Sequence, residues 1–463
     1  MMNLSEKLID TAKAQPEWTA LRDRNKSVSY SMLIRRISSN AQRITHMGYA
    51  KQTVLLRITD SVDFGIALLS LFAAGCWVVP APPDISENLC IKLKNTYGIK
   101  IELVSNAQVF SVACENDGIF TIHEESCGIY HLTSGSTGEP KLCIRSVRNL
   151  IDEALSYAEL FALCGNKILS LAPIYHSFSL GAAFMASLVS GSSLHVVNQF
   201  KPRQAVDIIG RWNPDIVVAV PIMTKAIAEV SLSEHYNFDT LKFIFIGTGN
   251  VTKKVNRQLK QRFGVSASIN YGSTETGGLI SRLTEEPEES IGTEMAGVEI
   301  KLLDSGGNAV PPGTEGEAYV KCKYMMIGYL DQKEQVLDPE GFFPMGDILL
   351  KDLNGYYYVK GRIKNIINIG GKKVNPKEVE SILLEYPGVR DCVVEGFCRG
   401  STEQVLAYID GETVDEFSLR QYLKEHLEAH KIPTIIKFVP YILRNSSGKL
   451  MKAGHINYEK QMD

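Results

Sequence analysis

Four short runs in the middle of the chain, ILSLAP (168–173), SLHVV (193–197), DIVVAVP (215–221) and KFIFIGTG (242–249), are apolar at consecutive rather than alternate positions. A strand of that kind is buried on both faces. With helical segments such as 182–189 between the runs, the pattern predicts a largely parallel sheet covered by helices on both sides. The N-terminal third continues the α/β texture: helical periodicity at 4–14 and 31–47, with Ser31 as the cap of the second, and a short strand at 53–58. The most apolar stretch, GIALLSLFAAGCWVV (65–79), is too short for a comfortable membrane span and contains two glycines. It is predicted to be a buried helix passing through Gly75 into a strand.

From about residue 291 the texture changes to shorter strands and turns (VEIKLLDSGG, VPPGTEGEAYV, NGYYYVKGR), which predicts a β-rich subdomain. A compact tail follows: an acidic helix at 376–385, strands near 389–397 and 405–409, a helix at 414–430 and a strand near 435–439. At 463 residues the chain exceeds what one core usually serves. The expected fold is therefore α/β: a large N-terminal domain (1–363) of layered, mostly parallel sheets with helices and the β-rich subdomain, then a small mobile α+β domain (364–463). Net charge of −3 argues against a general polyanion binder such as a nucleic-acid protein. Nine cysteines without a C-x-x-C pair cannot all be bridged within one chain, and the N-terminus lacks an apolar signal core, so a reducing cytoplasm is expected.

Candidate chemistry concentrates in a few segments. LTSGSTGEPK (132–141) surrounds one lysine with hydroxyls and glycines, a composition that suits phosphate. It is not a Walker loop, because Lys141 follows Pro140 and precedes Leu142. Taken alone, the run also fits a surface turn. NYGSTETG (270–277) follows an apolar strand-like stretch, where open α/β sheets place ligands; Tyr271 could stack on a base and Glu275 could hold a divalent cation. GFFPMGD ends in Asp347, whose carboxylate could take both hydroxyls of a ribose, and Arg362 follows one aromatic strand later. NSSGKL (445–450) presents Lys449 behind a flexible turn.

Together with PIYHSFSLG (173–181) and GRIKNIINIGGKKVNPKEVE (361–380), these segments resemble, in order and over nearly the whole chain, the adenylate-forming superfamily of acyl-CoA synthetases, aryl-acid ligases and related adenylation domains. The resemblance implies an AMP-forming acid–thiol ligase: a fatty, branched or aryl carboxylate attacks the α-phosphate of ATP, and a pantetheine thiol then displaces AMP. It implies that Thr133, Ser134, Gly135, Ser136, Thr137, Gly138 and Lys141 hold the β- and γ-phosphates, that Glu275 binds Mg²⁺, and that Thr274 and His176 act at the reacting centre. Gly247, Thr248 and Gly249 would approach the adenine and acyl groups, Asn270, Tyr271, Gly272, Ser273 and Thr274 the adenine and its cation, and Asp347 and Arg362 the ribose. Lys449 would bridge carboxylate and α-phosphate, Lys364 would be the hinge, and Gly370 and Gly371 would line a pantetheine tunnel. The acceptor is either coenzyme A or the phosphopantetheine arm of a carrier protein.

The chain departs from the family pattern at Pro344-Met345, where Arg-Thr is common, and at Asn365, where an acidic residue is frequent. The acyl-site segments carry no carboxylate for a substrate ammonium, which disfavours an amino acid as substrate. A nucleotide-binding partner protein without catalysis is the alternative of another class; retention of Lys449, Glu275, Asp347 and Arg362 together speaks against it.

Overall fold

The computed structural model describes residues 3–105, 119–134, 140–231, 236–247, 249, 251–283, 287, 289–330, 336–370, 372–399, 402–411 and 413–443. The four apolar runs form adjacent strands of a nine-stranded sheet. Its order is Thr293–Glu294, Gly277–Arg282, Ala267–Ser273, Phe243–Ile246, Ile216–Ala219, Lys167–Ser170, Ser193–Val196, Thr19–Arg22 and Ser27–Ser29. Pairing is parallel from Ala267–Ser273 through to Thr19–Arg22 and antiparallel at both edges. Every residue of Ile216–Ala219 is buried, as expected of a strand covered on two sides.

A second, six-stranded sheet runs Gly328–Tyr329, Pro140–Ser146, Gly128–Ser134, Trp77–Pro80, Thr53–Arg57, Ile101–Val104. The apolar segment 65–79 divides as predicted, into the buried helix Ser61–Ala73 and, after Gly75 at φ +73°, the strand Trp77–Pro80. A large apolar cluster, with Phe64, Phe72, Leu150, Tyr157, Phe184 and Phe245 among its members, draws on strands and helices of both sheets.

The β-rich region is a four-stranded antiparallel sheet of Glu299–Leu303, Glu315–Lys321, Phe343–Lys351 and Tyr357–Arg362. Met345 is 6% exposed within the core beneath it, which accounts for an apolar residue at this departure from the family pattern. Residues 367–436 have a core of their own, built from Ile367, Val379, Leu383, Ile409, Leu419, Leu423 and Ile436.

Two expectations change. The second helix spans Tyr30–His46 and is capped by Ser29, which accepts from the Met32 N–H; Ser31 lies inside it. Tyr30 is wholly buried and donates to the Ser187 and Ser192 carbonyls, so tertiary anchoring starts the helix two residues before the start that a Ser31 cap would give. The helix expected at 414–430 is Glu416–His426, capped by Asp415, with a separate 3₁₀ turn at Ala429–Lys431. No disulfide joins the described cysteines. Among the described residues no helix is long and apolar enough to cross a membrane.

Candidate active site

The two ends of LTSGSTGEPK lie in one antiparallel ladder. Gly128–Ser134 and Pro140–Ser146 pair with Thr133 opposite Lys141, and the Thr133 hydroxyl donates to the Lys141 carbonyl at 3.3 Å. Residues 135–139 lie outside the described part, so Gly135, Ser136, Thr137 and Gly138 carry no geometry here; of Ser134, only the backbone is described. The hairpin returns tightly into a helix. Ser146 ends the strand and caps Val147–Leu160, with Asn149 closing a capping box. Two turns into that helix, Glu153 comes back over the strand.

NYGSTETG is a second hairpin: Ala267–Ser273 turns through Thr274, Glu275 and Thr276 into Gly277–Arg282. A Cβ on Gly272 would lie 2.0 Å from the Gly277 carbonyl oxygen, so this turn closes only with glycine there. The Met326 N–H donates to the Glu275 carbonyl (2.7 Å), and the Thr276 hydroxyl accepts from the Ser273 N–H (3.1 Å). Together these bonds fix the direction of the turn.

Tyr329 joins the two hairpins. Its hydroxyl donates to Glu275 Oε1 at 2.9 Å, and its ring lies 5.2 Å from Lys141 Nζ. Its strand pairs with Pro140–Ser146, Tyr329 opposite Cys143, while the Cys143 thiol donates to the Thr274 carbonyl. Lys141 and Glu275 are thus linked through one aromatic ring. Nothing local in IGYL separates Tyr329 from an ordinary strand tyrosine; only the sheet pairing shows its place.

On the neighbouring face the Tyr271 hydroxyl donates to Asp347 Oδ2 at 2.7 Å, and Arg362 Nε lies 3.5 Å from Asp347 Oδ1. Burial pushes the Asp347 carboxyl above its ordinary value, against the bond from Tyr271 and the charge of Arg362. Burial, then the neighbouring carboxylate, raises the Tyr271 phenol well above its own. Asn270 points the other way. It is 7% exposed and accepts from the Tyr157 hydroxyl at 3.2 Å inside the core, because adjacent residues of a strand face opposite sides.

His176 precedes a short helix, Ser177–Ser179, that continues into a π-helical turn at Leu180–Met185; its ring packs on Tyr175 with centroids 4.6 Å apart. The Ser177 and Thr274 hydroxyls are 3.2 Å apart, bringing the histidine segment against the glutamate turn. Gly247 serves packing: a Cβ there would meet the Phe178 ring at 2.7 Å. Gly249 adopts φ +153° near Pro221, and Thr248 is outside the described residues. Lys364 lies in an exposed 3₁₀ turn, Ile363–Asn365. Gly370, at φ +56°, turns the Ile367–Ile369 and Lys372–Val374 hairpin. Gly371 and Lys449 lie outside the described residues.

The sequence reading missed a buried ion pair behind these segments. Arg145 Nη2 donates to Glu153 Oε2 at 2.7 Å and to the Tyr324 carbonyl at 3.0 Å, while Glu153 Oε1 accepts from the Gly278 N–H at 3.1 Å. Their side chains are 0% and 1% exposed. Burial works to lower the Arg145 pKa, and the charge and hydrogen bond of Glu153 together with Cys143 and Cys322 raise it above its ordinary value. The weak available signal is Arg and Glu eight residues apart, straddling a strand-to-helix turn.

His131, on the same strand as Thr133, is 3% exposed, and burial, Arg145 and His176 push its pKa down to about 3. His195, 4% exposed, is pushed down to about 4, chiefly by burial. A depressed folded pKa means that the unfolded chain takes the proton first, so stability falls as pH drops below about 6.5, down to the folded values. Between pH 7.5 and 5.5 each histidine is expected to remove about 1 kcal/mol. Urea midpoints at the two pH values check this; a loss in His131→Leu as large as in wild type would contradict the His131 share.

The AMP-binding enzyme family matches residues 104–330. The chain is 29% identical over 333 residues to a feruloyl-CoA synthase of an Amycolatopsis species, covering 69% of this chain and 67% of that one. It is 27% identical over 346 residues to the medium-chain fatty-acid–CoA ligase of Escherichia coli K12, covering 72% and 61%. Its fold matches that of the o-succinylbenzoate CoA synthetase of Bacillus subtilis at a TM-score of 0.87 and 23% identity, covering 97% of both chains. Through its match to the AMP-binding enzyme family at residues 104–330 and its similarity to CoA ligases, the chain is an acyl-CoA synthetase-like ligase.

Proposed function

We propose that the protein activates a fatty, branched or aryl carboxylic acid with ATP and transfers the acyl group to coenzyme A. The observation that carries this reading is the Lys141–Tyr329–Glu275 chain beside the Tyr271–Asp347–Arg362 cluster. It pairs a cation and a carboxylate at the phosphate end with a carboxylate suited to a ribose diol, both reached from the 267–282 hairpin. The relatives' activities, toward ferulate and medium-chain fatty acids by their names, support an acid–thiol ligase and leave the acid open.

The described residues fit magnesium as it is usually held with a nucleotide. No group of three His, Cys, Asp or Glu side chains is found among them, so Glu275 would provide a single carboxylate beside the polyphosphate's own oxygens, where the cation offsets phosphate charge. Asp347 would accept from the ribose hydroxyls. A carboxylate oxygen bonds to the α-phosphorus as the bond to the β-phosphate oxygen breaks, so pyrophosphate leaves. Thr133, Lys141 and the 135–138 segment would hold the departing charge, and Lys449 would hold the two reactants together. In the second step the thiol, losing its proton, bonds to the acyl carbon and AMP leaves.

Carboxylate-dependent pyrophosphate exchange across an acid panel tests the first step, and product assays with coenzyme A and with a carrier protein separate the acceptors. Exchange with no acid would reject the enzyme reading. We place the hinge between the two domains at Lys364. Lys364→Pro is expected to lower thioester formation on the order of tenfold more than adenylation, since it restricts rotation where the small domain must turn. Equal loss in both steps would remove Lys364 from that role.

A further inference from the structure

The buried Arg145–Glu153 pair is only partly satisfied. Among the described residues, Arg145 Nε and Nη1, both ring nitrogens of His131 and the Ser179 hydroxyl have no hydrogen-bond partner, although they are shut off from solvent. Each orphaned group of this kind costs about 1–3 kcal/mol, so concentrating several in one place needs a reason.

Their position supplies it. Lys141, Cys143 and Arg145 alternate onto one face of their strand, and His131 and Thr133 share that face of the partner strand, His131 directly opposite Cys143. Arg145 is therefore ~13 Å along the strand from Lys141, away from the phosphate end. Around it lie the histidine segment, expected to border the acyl group, and the glutamate turn, expected at the adenine and the cation. The Glu153 carboxylate would meet a Cβ at Gly181 of the histidine segment at 2.7 Å, and a Cβ at Gly277 of the glutamate turn at 2.6 Å. Two glycines thus make room for one carboxylate, which turns the guanidinium so that Nη2 is paired while Nη1 and Nε remain free.

We propose that Arg145 and His131 are specificity-determining residues that bind a neutral hydroxyl or keto oxygen on the distal part of the acyl substrate. The proposal rests on the adenylation reading above. Neutrality follows from charge. Arg145 is already balanced by Glu153, so a second substrate carboxylate would be buried without a counter-charge. A neutral His131 offers one donor and one acceptor, matching a hydroxyl, while Arg145 adds donors only. A site that leaves its own polar groups unpaired when the substrate lacks the matching oxygen discriminates strongly against the plain acid.

The test is acid-dependent pyrophosphate exchange with matched acids: hexanoate against its ω-hydroxy and ω-carboxy derivatives, and benzoate against its meta- and para-hydroxy derivatives. In wild type, kcat/KM for at least one hydroxy acid is expected to exceed that of its parent by at least about tenfold, with the dicarboxylate below both. Arg145→Met/Glu153→Gln, which keeps an acceptor for the Gly278 N–H, is expected to bring that ratio to unity or below while KM for ATP stays near wild type. His131→Leu, which leaves the ion pair intact, is expected to reduce the ratio in part. Preference of the wild type for the plain acids, or a parallel change for all acids in both variants, overturns the proposal. Exchange with none of the acids overturns the adenylation reading on which it rests.

Discussion

Lys449→Ala is expected to lower carboxylate-dependent pyrophosphate exchange on the order of 10³-fold while ATP binding stays within a few-fold of wild type. The asymmetry follows from where charge develops. On the proposed reading, bound ATP would be held through its ribose by Asp347 and through its β- and γ-phosphates by Lys141 and the segment around Thr133. A cation that bridges the incoming carboxylate and the α-phosphate gains most at the transition state, when two anionic groups are forced together, so its loss appears in turnover. Nucleotide titration alongside exchange measures both quantities. Near-normal exchange, or ATP binding lost in proportion, would remove Lys449 from the reacting centre.

The second large effect concerns stability. Arg145→Met alone leaves Glu153 as an uncompensated charge at 1% exposure, and Glu153→Gln alone leaves the guanidinium so, each at an expected cost of about 3–5 kcal/mol. The double variant Arg145→Met/Glu153→Gln is expected to recover most of that loss, because it removes both charges together. All three tryptophans, Trp18, Trp77 and Trp212, precede residue 364, so their fluorescence in urea follows this part of the chain. Additive losses in the double variant would show that the pair is not energetically coupled.

The two effects differ in how legible they were. Lys449 is conspicuous in sequence because a run of small polar residues isolates it. Arg145 is not, since neither LCIRS nor the helix after it marks a buried charge. Its partner is eight residues away, and the groups that complete its surroundings, Tyr324 and Gly278, are far removed in sequence. Tyr329 is a similar case, placed between Lys141 and Glu275 by a two-residue edge strand.

What the sequence determined by itself was whatever depends on local order. Consecutive apolar residues made the parallel strands readable, 3.6-residue periodicity the helices, and runs of glycine, hydroxyl and single charged residues the candidate segments. Tertiary structure decided which face each residue of those segments presents. Tyr271 turns to Asp347 and Asn270 to Tyr157, although the two are adjacent, and Gly247 makes way for Phe178. It also decided which charges meet in the interior. Such choices depend on strand register and on partners far along the chain, and register is set only when whole sheets close over a shared core.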